Sequence, residues 1–438
     1  MIKITQFFLL LIITINLHAQ QTFTLEQAMS YGLKNSSQAK LSQLELQDAE
    51  GQISEYISIG IPKVNGNASY QFSPDLPTFI LPDFTDPTRT VAAQFGTSHT
   101  VNLGLDLEAL LFDGSFFVGL KAQRLYRELI KKQAKLPELD IKSNIQKAFL
   151  AVLIAQRNES LLQKNIANLQ NTLRETKAIY ENGFAEKLDV DRLELSLNNL
   201  NIEARKIQRL IELSYNLLKF QMTFPLDQPI EIQGDLDALL AQIDIESVIE
   251  TDIDLNLRPE LAVIEMGAKL AQMNIKSIRA GYLPSLVGFA NYNRQLLRNN
   301  LFDSNDNPWF TISNVGAGLQ VPIFDGLDRK AKIQRARIEL DRTNIQRIDF
   351  KRGLTLEVQN AKIAFINANQ TVEASQRSLE MAQQIYDITQ IKYKEGVGSS
   401  IEVAQSEREL YAAQSAQMNA LFDLLLAKTD LDKALGKL

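Results

Sequence analysis

Most nucleophilic, redox and metal chemistry depends on cysteine and histidine, and this chain is nearly without them. Cysteine is absent, and the two histidines are His18 and His99. A thiolate nucleophile, a disulfide framework and a cysteine-based metal site are therefore excluded. If His18 leaves with a leader, one imidazole remains, too few for a multi-histidine metal site. A Ser-His-Asp triad would have to be built on His99, whose place at the start of an alternating segment suits a strand-end surface residue instead. No acid–base constellation stands out among the carboxylates. The sequence thus predicts no catalytic residue, no cofactor and no bound metal.

The elements around these residues must serve another purpose. The chain has 438 residues, 45% hydrophobic and 22% charged, enough apolar material for extensive burial. A net charge of −6 disfavours binding to a phosphate backbone, so nucleic acid is not an expected partner. Residues 1–19 (MIKITQFFLLLIITINLHA) carry one charge, Lys3, then an apolar run from Phe7 to Ile15 and a small residue at Ala19. That pattern predicts a secretory signal peptide, its apolar core too short to span a bilayer.

The remainder is one unit written twice. Pro62–Tyr70 (PKVNGNASY) matches Pro284–Tyr292 (PSLVGFANY) at a shift of 222 residues. Phe112-Asp113-Gly114 matches Phe324-Asp325-Gly326 at 212, and Tyr180–Gly183 matches Tyr393–Gly396 at 213. The fall in shift by ten places an insertion in the first copy between Tyr70 and Phe112, where an exposed loop is expected.

Within each copy the period changes. Val64, Gly66, Ala68, Tyr70 and Phe72 alternate with Asn65, Asn67, Ser69 and Gln71. Val101, Leu103, Leu105 and Leu107 alternate with polar or small neighbours, as do Val315, Ala317, Leu319, Val321 and Ile323. Ser285–Asn293 alternates less cleanly. Period two with unlike faces marks strands; on the strands alone a soluble half-buried sheet is the plainer reading, and runs of this kind also suit a transmembrane barrel. Pro/Asp-rich stretches, Pro74–Pro87 and Asn299–Pro308, read as solvent-facing turns. Trp309 and Phe310, at a strand end, are candidate membrane-interface anchors.

Long helices fill the rest. Phe116–Asn182 is 67 residues with one Gly and one Pro (Pro137), and Asp328–Glu395 is 68 with one Gly and no Pro. Pro137 is a kink site. Leu162, Ile166, Leu169, Leu173 and Phe365, Val372, Leu379 form narrow seams of coiled-coil type. Shorter helices are expected over Leu25–Ile59, Glu186–Thr223, Ser247–Ala280 and Ile401–Leu435, with Gly183 and Gly396 ending the long ones.

Four strands cannot close a barrel in lipid, where an open edge leaves backbone groups unpaired at several kcal/mol each. If the strands enter a bilayer, several chains must share one cylinder; three would supply twelve strands.

In order and spacing, Leu25-Glu26-Gln27-Ala28, the strand pair, Phe112-Asp113-Gly114, the long helix and the Gly183 turn, then the same again, resemble the TolC-like outer membrane factors. Arg258-Pro259-Glu260-Leu261, Tyr282-Leu283-Pro284-Ser285 and Val321-Pro322-Ile323-Phe324-Asp325-Gly326 are similar to that family's second-repeat signatures. The resemblance implies a mainly α fold with transmembrane β: two tandem repeats, four strands per chain in a trimeric twelve-stranded barrel, and a long α-helical periplasmic tunnel. The implied organisation is a signal peptide at 1–19, a first repeat at 20–224, an equatorial linker at 225–246 and a second repeat at 247–438. The implied function is a passive outer-membrane exit channel of a tripartite efflux pump, or of type I protein secretion. The implied partners are two further copies of the chain, a periplasmic adaptor (membrane fusion protein), an RND- or ABC-type inner-membrane transporter and outer-membrane lipid. A soluble periplasmic coiled-coil scaffold or adaptor is the alternative from another class.

Matched onto Gly396–Gln405, the family's two lumen-facing acidic positions are Glu402 and Gln405, so one acidic ring remains. Three copies of Glu402 around a neck would attract cations; a lone carboxylate there would instead sit solvated in the field of its helix N-terminus. A tip latch would join Tyr393 to Asp189, since the family's arginine position is Gly398. Gly183, Phe184, Ala185, Gly396, Val397 and Gly398 form the two helical turns that meet the adaptor.

Overall fold

The computed structural model describes residues 21–82, 85, 88–241, 243, 245, 254–302 and 309–438. The expected signal peptide lies outside these, as do parts of both expected loops and all of 246–253. The chain packs as two compact units, each drawing on both repeats. One holds the described residues of Leu44–Lys132 and Ala262–Ile348; the other holds those of Met1–Gln43, Gln133–Leu261 and Asp349–Leu438.

In the first of these units, β2 (Lys63–Phe72), β5 (His99–Phe112), β7 (Ser285–Arg298) and β8 (Trp309–Gln320) form a four-stranded antiparallel sheet in the order β2-β5-β7-β8. All four expected strands are present, and the register aligns their faces. Val64 opposes Leu107, which opposes Ala290, which opposes Val315. One row further, Asn65, Asp106, Asn291 and Asn314 stand side by side on the other face. Gly104 lies between Asn67 and Asn293, whose side chains occupy the space a Cβ would need.

Two expectations change here. Alternation through Ile323 predicted a longer last strand, but β8 stops at Gln320 because Pro322 has no N–H to extend the ladder. The loop expected over Pro74–Pro87 instead contains β3 (Thr78–Pro82), which pairs with β4 (Thr90–Gln94) in a separate hairpin. This hairpin falls within the interval that carries the extra residues of the first copy.

Both strand-to-helix exits use the repeated Phe-Asp-Gly. Asp113 Oδ1 accepts the backbone N–H of Phe116 at 3.0 Å, capping α3 (Gly114–Gln133). Asp325 accepts the N–H groups of Leu327 (3.1 Å) and Arg329 (3.2 Å) at the start of α8 (Asp328–Lys394). A carboxylate there satisfies otherwise orphaned donors and complements the helix dipole.

The helices depart from expectation at three places, one being Ser247–Ala280, whose described residues form a 3-10 turn at Leu255–Leu257 and an α-helix only from Pro259. The stretch Leu25–Ile59 divides into α1 (Leu25–Asn35) and α2 (Ser37–Ser58), because Ser36 takes an extended ψ of 142° and its Oγ accepts the Ala39 N–H. The first long stretch divides into α3 and α4 (Leu136–Glu181), with Pro137 seated in the first turn of α4, where its missing N–H costs nothing. The second long helix, α8, is continuous over 67 residues.

In the other unit, α4 packs antiparallel on α5 (Lys187–Met222) through the expected seam. Leu162 and Ile166 meet Ala204 and Ile207, and Leu169 and Leu173 meet Val190 and Leu193. A parallel pair of three-residue strands, β1 (Gln21–Phe23) and β6 (Ile230–Ile232), closes over Phe149, Leu218 and Met222. Sequence reading missed both strands, since three residues cannot show a period. The short α6 (Leu236–Ala241), a 3-10 turn at Leu255–Leu257, α7 (Pro259–Ala280) and α9 (Ser400–Leu435) complete the described elements.

Arg258, 4% exposed, ties this unit together. Its guanidinium donates to Glu260 (2.9 and 3.0 Å), to Glu357 on α8 (3.2 and 3.3 Å) and to the Ala434 carbonyl near the end of α9 (2.8 Å). Burial alone would lower its pKa, but the two carboxylates win and hold it above the ordinary arginine value. Removing the cation strands two acids and a carbonyl. Replacement of Arg258 by Met is expected to cost about 3 kcal/mol, read as a lower unfolding midpoint of the purified protein, whereas Arg258→Lys keeps part of that loss.

Candidate functional site

The turn between α4 and α5 and the turn between α8 and α9 lie in the same compact unit, and each uses a glycine in the left-handed region. Gly183 has φ of 81° and Gly396 has φ of 76°, values an L side chain resists. Phe184 stands 85% exposed beside the first, and Val397 is exposed beside the second, while Ala185 is half-buried. Gly398 is required for another reason: an added Cβ would lie 3.0 Å from the Tyr393 nitrogen.

Just inside these turns the helices are tied by polar contacts. Asp189 is the N3 residue of α5: its Oδ2 accepts the Glu186 N–H at 3.2 Å in a capping box. Its Oδ1 accepts the Ser400 hydroxyl, and Arg192 donates to the same hydroxyl at 3.1 Å. Lys394 pairs with Glu175 at 3.2 Å, and Tyr393 Oη meets Thr176 Oγ1 at 3.5 Å. The expected Tyr393–Asp189 hydrogen bond is therefore corrected. Each residue joins the two turns, but through Thr176 and Ser400 respectively. Arg192, one helical turn beyond Asp189, lies 3.9 Å from its carboxylate.

Glu402 is exposed in the first turn of α9, where its N–H donates to the capping Ser399 hydroxyl at 3.3 Å. Gln405 is also exposed, donating to Glu409 at 2.6 Å and accepting from Arg408 at 2.8 Å.

The least expected group is Glu407, 1% exposed between α5, α8 and α9. Its carboxyl accepts from the Tyr411 hydroxyl at 2.7 Å and the Ser196 hydroxyl at 3.3 Å, with no cation among its described partners. Burial raises its pKa, only partly countered by those two hydrogen bonds. Burial and the nearby carboxyl also push Tyr386, from α8, up to about 12, and Tyr411 moves in the same direction. The sequence carried a signal for this: Val403, Glu407, Leu410 and Gln414 recur at helical spacing, so an acid sits on the apolar stripe. The same polar seam continues with Asn165 donating to Gln414 at 2.7 Å and Gln417 donating to Gln376 at 3.0 Å.

On the sheet, adjacent residues must point to opposite faces. Trp309 aligns with Leu296 on the face that carries Tyr70 and Leu105, and the Arg294 guanidinium lies 5.3 Å from its ring. Phe310 aligns with Gln295 on the polar face, so the two aromatics cannot anchor in the same surface. His99 stacks at the strand end on Phe72 and meets the Tyr70 hydroxyl at 2.9 Å, half-buried where a surface residue is expected from the sequence. Among the described residues no acidic or imidazole cluster could hold a metal, and no helix is long and apolar enough to cross a membrane.

Residues 253–437 match the family described as outer membrane efflux protein. The chain is 25% identical over 311 residues to the pyoverdine export outer membrane protein OpmQ of Pseudomonas aeruginosa, covering 68% of this chain and 62% of OpmQ. It therefore spans less than two thirds of that relative. It is 22% identical over 360 residues to the outer membrane protein TolC of Vibrio cholerae, covering 78% of each. A solved structure of CusC superposes with a TM-score of 0.72 at 18% identity, covering 94% of this chain and 91% of that one. These similarities bear out the resemblance to the TolC-like outer membrane factors, and the superposition shows that the chain shares their fold.

The sign of the Glu407 shift fixes a pH response. A carboxyl with a raised folded pKa favours the fold while protonated, and that contribution fades as pH rises from the ordinary carboxylate range through the folded value. Thermal unfolding of the wild type is expected to fall over that interval, and Glu407→Gln to flatten the slope and melt higher at neutral pH.

Proposed function

We propose that this TolC-like chain is the passive exit channel of a tripartite efflux pump, formed by three copies in the outer membrane. The observation that supports this most directly is the sheet: one face apolar and exposed, the other polar, and both edge strands unpaired. Val64, Leu105, Tyr292 and Val315 are all exposed on the apolar face, an arrangement unstable in water and suited to lipid. The edge strands β2 and β8 run antiparallel, so β8 of one copy extends β2 of the next without changing the ladder pattern. Three copies give a closed, even-stranded barrel whose polar face lines the lumen.

The helices of the other unit supply a periplasmic tunnel in this reading, with repeats at 20–224 and 247–438 joined by the linker at 225–246. At the tip, Glu402 supplies one acidic ring with Gln405 beside it, while the Asp189–Ser400 and Tyr393–Thr176 contacts hold the turns together at rest. Phe184, Ala185 and Val397, displayed by Gly183, Gly396 and Gly398, meet the adaptor. Trp309 anchors at the membrane interface. An inner-membrane transporter of the RND or ABC type supplies the free energy. The names of the relatives, which speak of export and efflux, favour efflux over protein secretion.

Purified in detergent, the chain is expected to run as a trimer and to open pores in planar bilayers. A water-soluble monomer without conductance overturns the proposal. Val315→Arg, on the apolar face, should cost about 2–4 kcal/mol in lipid and abolish outer-membrane assembly, whereas Asn314→Arg on the polar face assembles and changes ion selectivity. Glu402→Ala should weaken block of the pore by divalent cations; an unaltered block removes Glu402 from the constriction.

A further inference from the structure

All four strands meet the helices at one end of the sheet, since Lys63 pairs with Glu108 and Ser285 with Gln320. That end carries exposed apolar side chains: Ile61 before β2, Phe112 ending β5, Leu283 before β7, and Ile323 and Phe324 after β8. Ile323 is 95% and Phe324 80% exposed. Phe112 meets Phe117 of α3, ring centroids 6.0 Å apart, whereas Ile323 and Phe324 stand open.

Cations follow directly. Lys276 and Arg279 occupy the last turns of α7, and Arg329, Lys330, Lys332 and Arg335 the first turns of α8. Arg329 pairs with Asp325 at 3.4 Å and stacks over Tyr282 at 5.4 Å, and Lys332 pairs with Asp328 at 2.6 Å. Lys276, Arg279, Lys330 and Arg335 are exposed and have no ion-pair partner among the described residues. Between the two helices runs an open groove of about 510 Å³ lined by Asn274, Ile278, Lys332, Arg335, Glu339 and Arg342. At ~1.5 Å per residue, Arg335 lies about 10 Å along α8 from its start. A headgroup layer is roughly 5–8 Å deep, and charge attraction reaches about 8 Å beyond it. The chain as a whole is acidic, at −6, so this concentration of unpaired positive charge is local.

We propose that this end of the unit is a lipid-recognition collar: the apolar side chains enter the boundary of the leaflet, and Lys276, Arg279, Lys330 and Arg335 bind the phosphates of anionic phospholipid headgroups. It rests on the sheet lying in a bilayer, and adds that the leaflet on the helix side is chosen by charge. Interfacial Lys and Arg beside a buried apolar band gain by attraction to anionic lipid, an effect that salt screens.

Full-length protein in detergent is titrated with phosphatidylglycerol or phosphatidylcholine and bound lipid is counted by native mass spectrometry. Phosphatidylglycerol is expected to be retained preferentially, and the quadruple change Lys276→Gln, Arg279→Gln, Lys330→Gln, Arg335→Gln to reduce that preference by at least about tenfold while leaving the trimer and its conductance intact. The same loss should follow on raising salt. Equal retention of the two lipids by the wild type overturns the collar. So does a quadruple variant that conducts and keeps its preference, or a wild type that binds soluble muropeptides instead of phosphatidylglycerol. Absence of any trimer or pore would instead defeat the channel reading itself, which keeps the two failures separate.

Discussion

Unpaired backbone at the two sheet edges is the constraint on which the remaining architecture turns. A four-stranded sheet whose outer strands end in open rows of N–H and C=O groups has no stable place in hydrocarbon, and its apolar face has none in water. The register resolves both at once. With Val64, Leu107, Ala290 and Val315 in one row and Asn65, Asp106, Asn291 and Asn314 in the next, every strand is divided in the same sense. Joining copies edge to edge therefore keeps one surface apolar and the other polar around the whole circumference. Gly104 belongs to this arrangement, leaving room for Asn67 and Asn293 on a crowded polar face.

The helical unit answers a different demand. Its hydrophobic seams are narrow, and between them lie buried amides, hydroxyls and the Glu407 carboxyl, each hydrogen-bonded across helices. Buried polar groups add little net stability, but leaving one unpaired costs more than the pair contributes. Such a seam specifies which helical register is acceptable without the oily width that would make the surface of each copy aggregate. The Arg258 cluster does the same at the opposite end of these helices, joining the α7 start, α8 and the end of α9 through one side chain.

Where a periodic run was long, the residues themselves disclosed the element: the four strands, the α4–α5 seam and both turn glycines follow from spacing alone. The failures share a cause. β1 and β6 have three residues each, too few for a period, and become strands only because they pair across more than two hundred residues. The hairpin of β3 and β4 was hidden because its Pro and Asp content reads as loop, although the insertion containing it was visible in the shift between repeats. At the tip, matching positions named Asp189 and Tyr393 but paired them wrongly. Which hydroxyl each reaches depends on the rotation of α5 against α9 and of α4 against α8, a tertiary quantity no one-dimensional spacing contains. Glu407 stood in plain view on an apolar stripe.

Among the described residues the β3–β4 hairpin has no counterpart in the second repeat, whereas each repeat gives the sheet two strands. In the proposed ring of three chains the wall would have approximate sixfold symmetry, with an appendage that occurs only three times. A molecule approaching such a ring from that side would meet a triangular outline and not a hexagonal one, and its recognition by antibody or phage would carry threefold valency.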